Sequence, residues 1–281
     1  MHEVEFMNFK VRKYDDVIPR QTRDEVAIRY HRIIRAVNRE FWPNQRKTEH
    51  GLYVGSYGRG TAVDTSDIDM LMEIPMGQYD RFSDYSGNGQ SQFLQAVREA
   101  ILTTYPNSKI KADGQVVKVD FIEGMKFEVL PAFPVVQLSG RVKYVYPDTN
   151  MGGHWKTTDP KSEQQEMSER NNLSNGLIRA TCRHIRTLRA EFYPVSHLSG
   201  ILIDSFVCNA AGEWSFLNGT PFSPFMSSRT YEEALLDHYN NVSLYGLFPP
   251  VDLTAPGSGM SVFADPDDWK LLGNILNMMA A

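Results

Sequence analysis

Apolar positions along the first third of the chain recur at helical spacing. Val26, Tyr30, Ile33, Ile34, Val37 and Phe41 form one stripe with Arg and Glu between them, which predicts an amphipathic helix over Thr22 to Trp42. Leu52-Tyr53-Val54 reads as a short extended approach to a turn, and Ile68 to Ile74 as a buried strand. A second helix follows over Ser91 to Tyr105, with Phe93, Leu94, Val97, Ile101 and Leu102 as its stripe. The period then changes to two. Gln115 to Ile122 and Met125 to Leu130 alternate and meet at Glu123-Gly124, a two-residue hairpin turn pair, and Arg141 to Tyr146 adds a further strand. Asp159-Pro160 is a helix start with proline at the first helical position. Beyond it the pattern is helical: Leu173 to Phe192, Ser199 to Asn209, Thr230 to Tyr245 and Asp267 to Met279, with a loop over Pro249 to Gly259. The order is helix, mixed sheet, helical bundle. It predicts an α+β chain in two lobes, 1–158 and 159–281, with no internal repeat.

The 281 residues, 42% hydrophobic and 22% charged, are ordinary for a soluble enzyme with a sizeable core. The net charge of −5 does not provide the basic face that a general nucleic-acid binder needs, so no stable nucleic-acid partner is expected. Cys182 and Cys208 have no metal-ligand spacing and fall in apolar segments, the pattern of buried free thiols in a reducing compartment. The N-terminus lacks the features of a signal peptide, and no apolar run is long enough to span a bilayer. A cytoplasmic protein without a membrane partner is expected.

The candidate chemistry is concentrated in one short stretch. Gly55-Ser56-Tyr57-Gly58-Arg59-Gly60-Thr61 offers backbone N–H groups and the Ser56 hydroxyl to a phosphate. Asp67 and Asp69, one residue apart, place two carboxylates on the same face of an extended strand. Oxygen-only ligands suit Mg²⁺ or Mn²⁺, and paired carboxylates suit two-metal phosphoryl chemistry. Asp-x-Asp alone is common on exposed strands; the order of loop, acids and buried strand is what points to nucleotidyl transfer. A third acid completes such a site. Asp120 and Glu128 are the candidates. A two-residue Glu123-Gly124 turn sets Glu128 opposite Val119 and Asp120 opposite Phe127, on opposite faces, so one of the two joins the pair and local physics leaves the choice open.

These motifs resemble those of the bacterial CD-NTases, relatives of cyclic GMP-AMP synthase and oligoadenylate synthase within the polymerase-β-like nucleotidyltransferases. The resemblance rests on Gly55 to Thr61, on Ser66-Asp67-Ile68-Asp69-Met70, on Phe127-Glu128-Val129-Leu130-Pro131-Ala132-Phe133 and on Trp155 to Pro160. It implies a bilobed polymerase-β-like fold with a mixed-sheet lobe and a C-terminal helical lobe. It also implies that Asp67, Asp69 and Glu128 bind Mg²⁺ or Mn²⁺ and carry catalysis, selecting Glu128 over Asp120. The family most often has aspartate at the Glu128 position. Gly55 and Ser56, Arg183 in Thr181-Cys182-Arg183-His184, and Ser199 match the positions that hold the donor triphosphate, with Arg186 about one turn beyond Arg183. Where the family often follows serine with a stacking tyrosine, this chain has Gly200, which cannot stack.

Several residues have plainer readings. Arg183 equally suits a solvated helix face, since Arg179, Arg186 and Arg189 lie nearby. His50, His154, His184 and His197 lack metal spacing and read as surface or satisfied polar groups. Trp155 and Tyr146 line a base pocket or close a core edge, and Met278-Met279 ends a packed helix. Arg59 steadies the phosphate loop or pairs with Asp64.

The resemblance implies a synthase that joins nucleoside triphosphates (ATP, GTP or others) into a cyclic di- or trinucleotide second messenger for antiphage defence. A regulatory protein partner is compatible with it. A nucleotidyltransferase acting on an antibiotic, tRNA or protein would share the same motifs. A catalytically silent nucleotide binder is the third reading, which three convergent acids oppose.

Overall fold

The structure is a computed structural model describing residues 9–13, 17–42, 48–64, 66–225, 228–243, 249–250 and 252–281. The elements run α1 (Arg20–Phe41), β1 (Gly51–Tyr53), α2 (Gly55–Arg59), β2 (Ile68–Glu73), α3 (Tyr79–Ser83), α4 (Gly89–Leu102), β3 (Lys109–Asp113), β4 (Val116–Asp120), β5 (Lys126–Val136), β6 (Val142–Asp148), β7 (His154–Thr158), α5 (Pro160–Leu173), α6 (Leu177–Phe192), α7 (Gly200–Ala210), β8 (Ser215–Leu217), β9 (Thr220–Phe222), α8 (Tyr231–Val242) and α9 (Pro266–Ala280). The chain divides into two compact units. One comprises Ile18–Gly58 and Ser66–Lys161; the other comprises Met1–Val17, Arg59–Thr65 and Ser162–Ala281.

In the first unit the strands form a mixed sheet in the order β1-β2-β5-β4-β3, with β6 pairing β5 and β7 pairing β6. β2 and β5 run parallel, and the other pairs are antiparallel. Alternation along β2 and β5 sorts their side chains between two faces. Ile68, Met70 and Met72, with Phe127 and Val129, share one buried cluster with Ile33, Ile34 and Val37 of α1 and Phe93, Leu94 and Val97 of α4. The other face presents Asp69, Leu71 and Glu73 on β2 and Glu128, Leu130 and Ala132 on β5, register partners throughout. Of these, Leu71 and Ala132 close a small cluster with Tyr144. The phenolic hydroxyl of Tyr144 donates to Glu73 at 2.6 Å. One sheet face is therefore hydrophobic core, and the opposite face begins with acids.

Two expectations are corrected here. The β4–β5 connection is a three-residue loop, Ile122-Glu123-Gly124: Phe121 N–H donates to Met125 O at 2.9 Å, and Gly124 adopts φ +88°. The pairing is thus Val119 with Phe127, Lys118 with Glu128 and Asp120 with Lys126. The one-residue shift puts Asp120 and Glu128 on the same face, not opposite ones. The second correction concerns length. β5 continues through Pro131 to Val136, because Pro131 falls between the stretch paired with β4 and the stretch paired with β6, where a missing donor does least harm.

The helical unit buries Leu177, Ile185, Leu202, Phe206, Trp269 and Leu272 in one cluster. Cys182 and Cys208 lie buried and free within it, and burial pushes both thiols up. The expected helix from Leu173 is broken by Asn175 (φ +53°) and Gly176 (φ +98°), so α6 starts at Leu177. The small β8–β9 hairpin turns on Asn218-Gly219, both at positive φ, a turn signal that the sequence reading passed over. α8 carries a full capping box between Thr230 and Glu233 and ends at Val242; the tail of the expected Thr230 to Tyr245 helix lies outside the described residues. Among the described residues no helix is long and apolar enough to cross a membrane.

A buried ion network in this unit gathers around Arg59, Gly60 and Thr61. Asp204, fully buried on α7, accepts from Arg59 Nε at 2.7 Å, Thr61 Oγ1 at 3.0 Å and Arg186 Nη1 at 2.8 Å. Arg59 Nη1 also donates to Glu163 at 2.9 Å. The backbone of the segment is held as well: Arg179 Nε donates to Arg59 O at 2.9 Å, and Arg183 donates twice to Gly60 O. Gly60 adopts φ +72°, and a Cβ there would lie 2.9 Å from Arg179 Nε. Burial raises the pKa of Asp204, but Arg186 and Arg59 outweigh it and hold the carboxyl at about 2.

Removing one partner leaves uncompensated buried charge. Asp204→Ala should lower stability by about 3–5 kcal/mol in denaturant titrations, and a loss under about 1 kcal/mol contradicts the network's role. The folded-state pKa lies below the ordinary 3.8, so the contribution is present above that value and lost as pH falls toward about 2. The variant should lack this part of the acid limb.

Candidate active site

Three elements position the predicted phosphate loop and acids in the first unit. β1 pairs antiparallel with β2, Tyr53 opposite Met70, and Val54 N–H then donates to Asp69 O at 3.0 Å. The chain leaves β1 beside Asp69 and turns at once into α2, whose first residues are Gly55 and Ser56. Gly55 sits at φ +57°, and a Cβ there would lie 2.0 Å from Asp69 Oδ2. The Asp69 carboxylate thus rests against the bare backbone of the turn, and both the conformation and the contact require glycine. Ser56 follows, half-buried.

Asp69 is half-buried, and Asp67, just before β2, is exposed. Ile68 between them is buried in the helix-covered core. Glu128, half-buried on β5, is the direct register partner of Asp69 across the parallel pair, so the two carboxylates leave the same face of adjacent strands. Asp120 shares that face one strand further away, where Lys109 Nζ pairs with it at 3.4 Å. Register therefore sets Glu128, rather than Asp120, beside Asp69.

Glu128 also has a cationic neighbour that the sequence reading missed. Lys118, its partner on β4, places Nζ 3.6 Å from Glu128 Oε1 and 2.7 Å from Asp113 Oδ2. The hydrogen bond that the Lys118 ammonium donates to Asp113, helped by the charges of Glu128 and Asp113, holds its pKa above the ordinary value against the burial penalty. The alternation of β4 contains this pair, but only the three-residue turn brings Lys118 opposite Glu128.

Among the described residues no three His, Cys, Asp or Glu side chains form a ready-made metal cage. The donor set nevertheless fits Mg²⁺ or Mn²⁺. Such ions are commonly held by one or two carboxylates with substrate phosphates and water completing the shell, and Asp69 offers its carboxylate beside the Gly55 turn.

Arg183 and Ser199 belong to the helical unit. Arg183 is half-buried on α6, with Nε and Nη2 on the Gly60 carbonyl at 3.1 and 2.7 Å. Ser199 precedes α7 and donates its N–H to Asp268 at 2.8 Å, at the edge of a cavity of about 930 Å³ that Tyr193, His197 and Lys270 also line. Arg59 pairs with Asp204 and Glu163 rather than with Asp64. The histidines have ordinary partners. His184 meets Phe9 O at 2.9 Å, His197 and His154 sit beside Asp268 and Asp148, and His50 stacks on Trp42. Trp155 closes the aromatic core with Tyr79, Phe93 and Phe133, and Tyr146 packs at the Leu71 cluster.

Gly55→Ala forces a side chain both into positive φ and onto Asp69. It should cost about 1–3 kcal/mol in urea denaturation. Gly77→Ala, at ordinary φ with open space around it, should change stability by less than about 0.5 kcal/mol. Equal effects would contradict the contact.

The model of the Second Messenger Oligonucleotide or Dinucleotide Synthetase domain matches residues 7–171, more than half of the chain. No curated protein matches the chain significantly in sequence. Solved structures share its fold at low identity. One is a CdnE cyclic dinucleotide synthase of Elizabethkingia meningoseptica with GTP and Apcpp (14% identity, 96% of this chain and 94% of that one, TM-score 0.61). A second is the CdnE c-UMP-AMP synthase of Rhodothermus marinus with Apcpp and Upnpp (15%, 93% and 91%, TM-score 0.63). The CD-NTase CdnG of Bradyrhizobium diazoefficiens with GTP is a third (13%, 97% and 88%, TM-score 0.60). With its acids carried on a mixed sheet of the same fold, the chain belongs to the Second Messenger Oligonucleotide or Dinucleotide Synthetase family and is a nucleotidyltransferase of the bacterial CD-NTase type.

Proposed function

We propose that this chain is a divalent-metal-dependent synthase that joins nucleoside triphosphates into a cyclic di- or trinucleotide, releasing pyrophosphate, and that the product is a second messenger of antiphage defence. The observation that carries the chemical part is the register of Asp69 with Glu128 on one sheet face, beside the Gly55-Ser56 turn. The nucleotides in the Elizabethkingia and Rhodothermus synthase structures support nucleoside triphosphates as the substrate class.

In this reading the backbone at Gly55 and the Ser56 hydroxyl orient the donor triphosphate, and Arg183 and Ser199 are proposed as further triphosphate contacts. Asp67, Asp69 and Glu128 hold Mg²⁺ or Mn²⁺, which when bound lowers the pKa of the attacking hydroxyl and neutralises charge on the triphosphate. A ribose hydroxyl oxygen bonds to the α-phosphorus, the bond from that phosphorus to the β-bridging oxygen breaks, and pyrophosphate leaves. Glu128 takes the hydroxyl proton. A second transfer within the linear product closes the ring. Gly200 supplies no ring to stack on the base, so the base platform lies elsewhere in the chain.

Asp67→Asn and Asp69→Asn keep shape and remove charge. Each should lower pyrophosphate release from nucleoside triphosphates by at least about 100-fold with an unchanged thermal midpoint. Retained turnover in both variants contradicts the assignment.

A further inference from the structure

Glu128 lies between two opposing influences on one sheet face. On β2 stands Asp69, its register partner; on β4 stands Lys118, its other register partner, with the ammonium 3.6 Å from Glu128 Oε1. Lys118 is itself held at 2.7 Å by Asp113 from the next strand. Three strands thus carry acid, acid and cation side by side, with a third acid, Asp113, anchoring the cation. Like charge repels Glu128 from Asp69, while Lys118 attracts it the other way.

We propose that Lys118 is a positioning residue that competes for the third carboxylate, so that a divalent cation seated at Asp69 recruits Glu128 only by drawing it from the Lys118 ammonium. The inference rests on the reading of Asp69 and Glu128 as metal ligands. Its consequence is that the cost of moving Glu128 is built into cation binding. Asp113 tunes that cost, because the ammonium it engages is shared with Glu128. Glutamate suits a two-position role better than aspartate, since its extra methylene lets the carboxylate swing while the backbone stays in the sheet. This gives a physical reason for the longer acid at this position.

The experiment is Mn²⁺ titration of the full chain without nucleotide, followed by the electron paramagnetic resonance of free Mn²⁺. Lys118→Met should tighten Mn²⁺ binding by at least about fivefold through loss of the competing charge. Lys118→Gln serves as the second variant if the first unfolds. Lys111, the partner of Lys118 on β3, bears the same charge without a pairing to Glu128; Lys111→Met should leave the affinity within about twofold. In a Glu128→Gln background the effect of Lys118→Met should largely vanish, because the competition acts through that carboxylate. An unchanged or weaker affinity in Lys118→Met overturns the proposal, and so does an equal gain with or without Glu128. Asp69→Asn separates the two levels: if Mn²⁺ binding survives it undiminished, the metal reading itself fails.

Discussion

The parallel pairing of β2 with β5 is the constraint on which the site depends. Residues 68–73 of β2 and 127–132 of β5 are in register partner by partner. Their helix-covered face is filled by Ile68, Met70, Met72, Phe127 and Val129, so a slip of one residue would exchange core for carboxylates. The hydrophobic effect therefore enforces the placement of Asp69 beside Glu128: the acids face away from the core because their neighbours must face into it. β1 adds the remaining condition. Its pairing with β2 delivers Gly55 to the Asp69 carboxylate, where only a glycine backbone fits.

Charge is handled differently in the two units. On the sheet face Asp69, Glu128 and Lys118 are half-buried, and the Glu128–Lys118 contact can be exchanged for that of a ligand. In the helical unit, Asp204, Arg59 and Arg186 are buried and mutually satisfied. Such a cluster is costly to disrupt and so fixes geometry rather than adapting to it. The residues it holds, Arg59, Gly60 and Thr61, follow Gly55 to Gly58 in the chain.

Much of this was legible from residue pattern. The α1 and α4 stripes and the buried β2 strand follow from periodicity alone, and the structure places them accordingly; Asp67, expected on the strand with Asp69, instead lies just before it. The register of the β4–β5 hairpin was not, because Glu123-Gly124 suits a two-residue turn as well as the end of a three-residue one. The difference of one residue moved Asp120 across the sheet and concealed Lys118. Pro131 obscured the full length of β5 for a related reason: the rule against proline in strands concerns a missing donor, and partner exchange along a strand is invisible locally. The role of Arg59 was equally hidden, since Asp204 lies 145 positions away and no spacing rule reaches that far.

The most direct test of the central claim is product analysis. Purified protein is incubated with all four labelled ribonucleoside triphosphates and Mg²⁺ or Mn²⁺, treated with phosphatase and analysed by mass spectrometry. A phosphatase-resistant cyclic di- or trinucleotide is the predicted result. Transfer of a single nucleotide to a non-nucleotide acceptor, with no cyclic product under either metal, would contradict it.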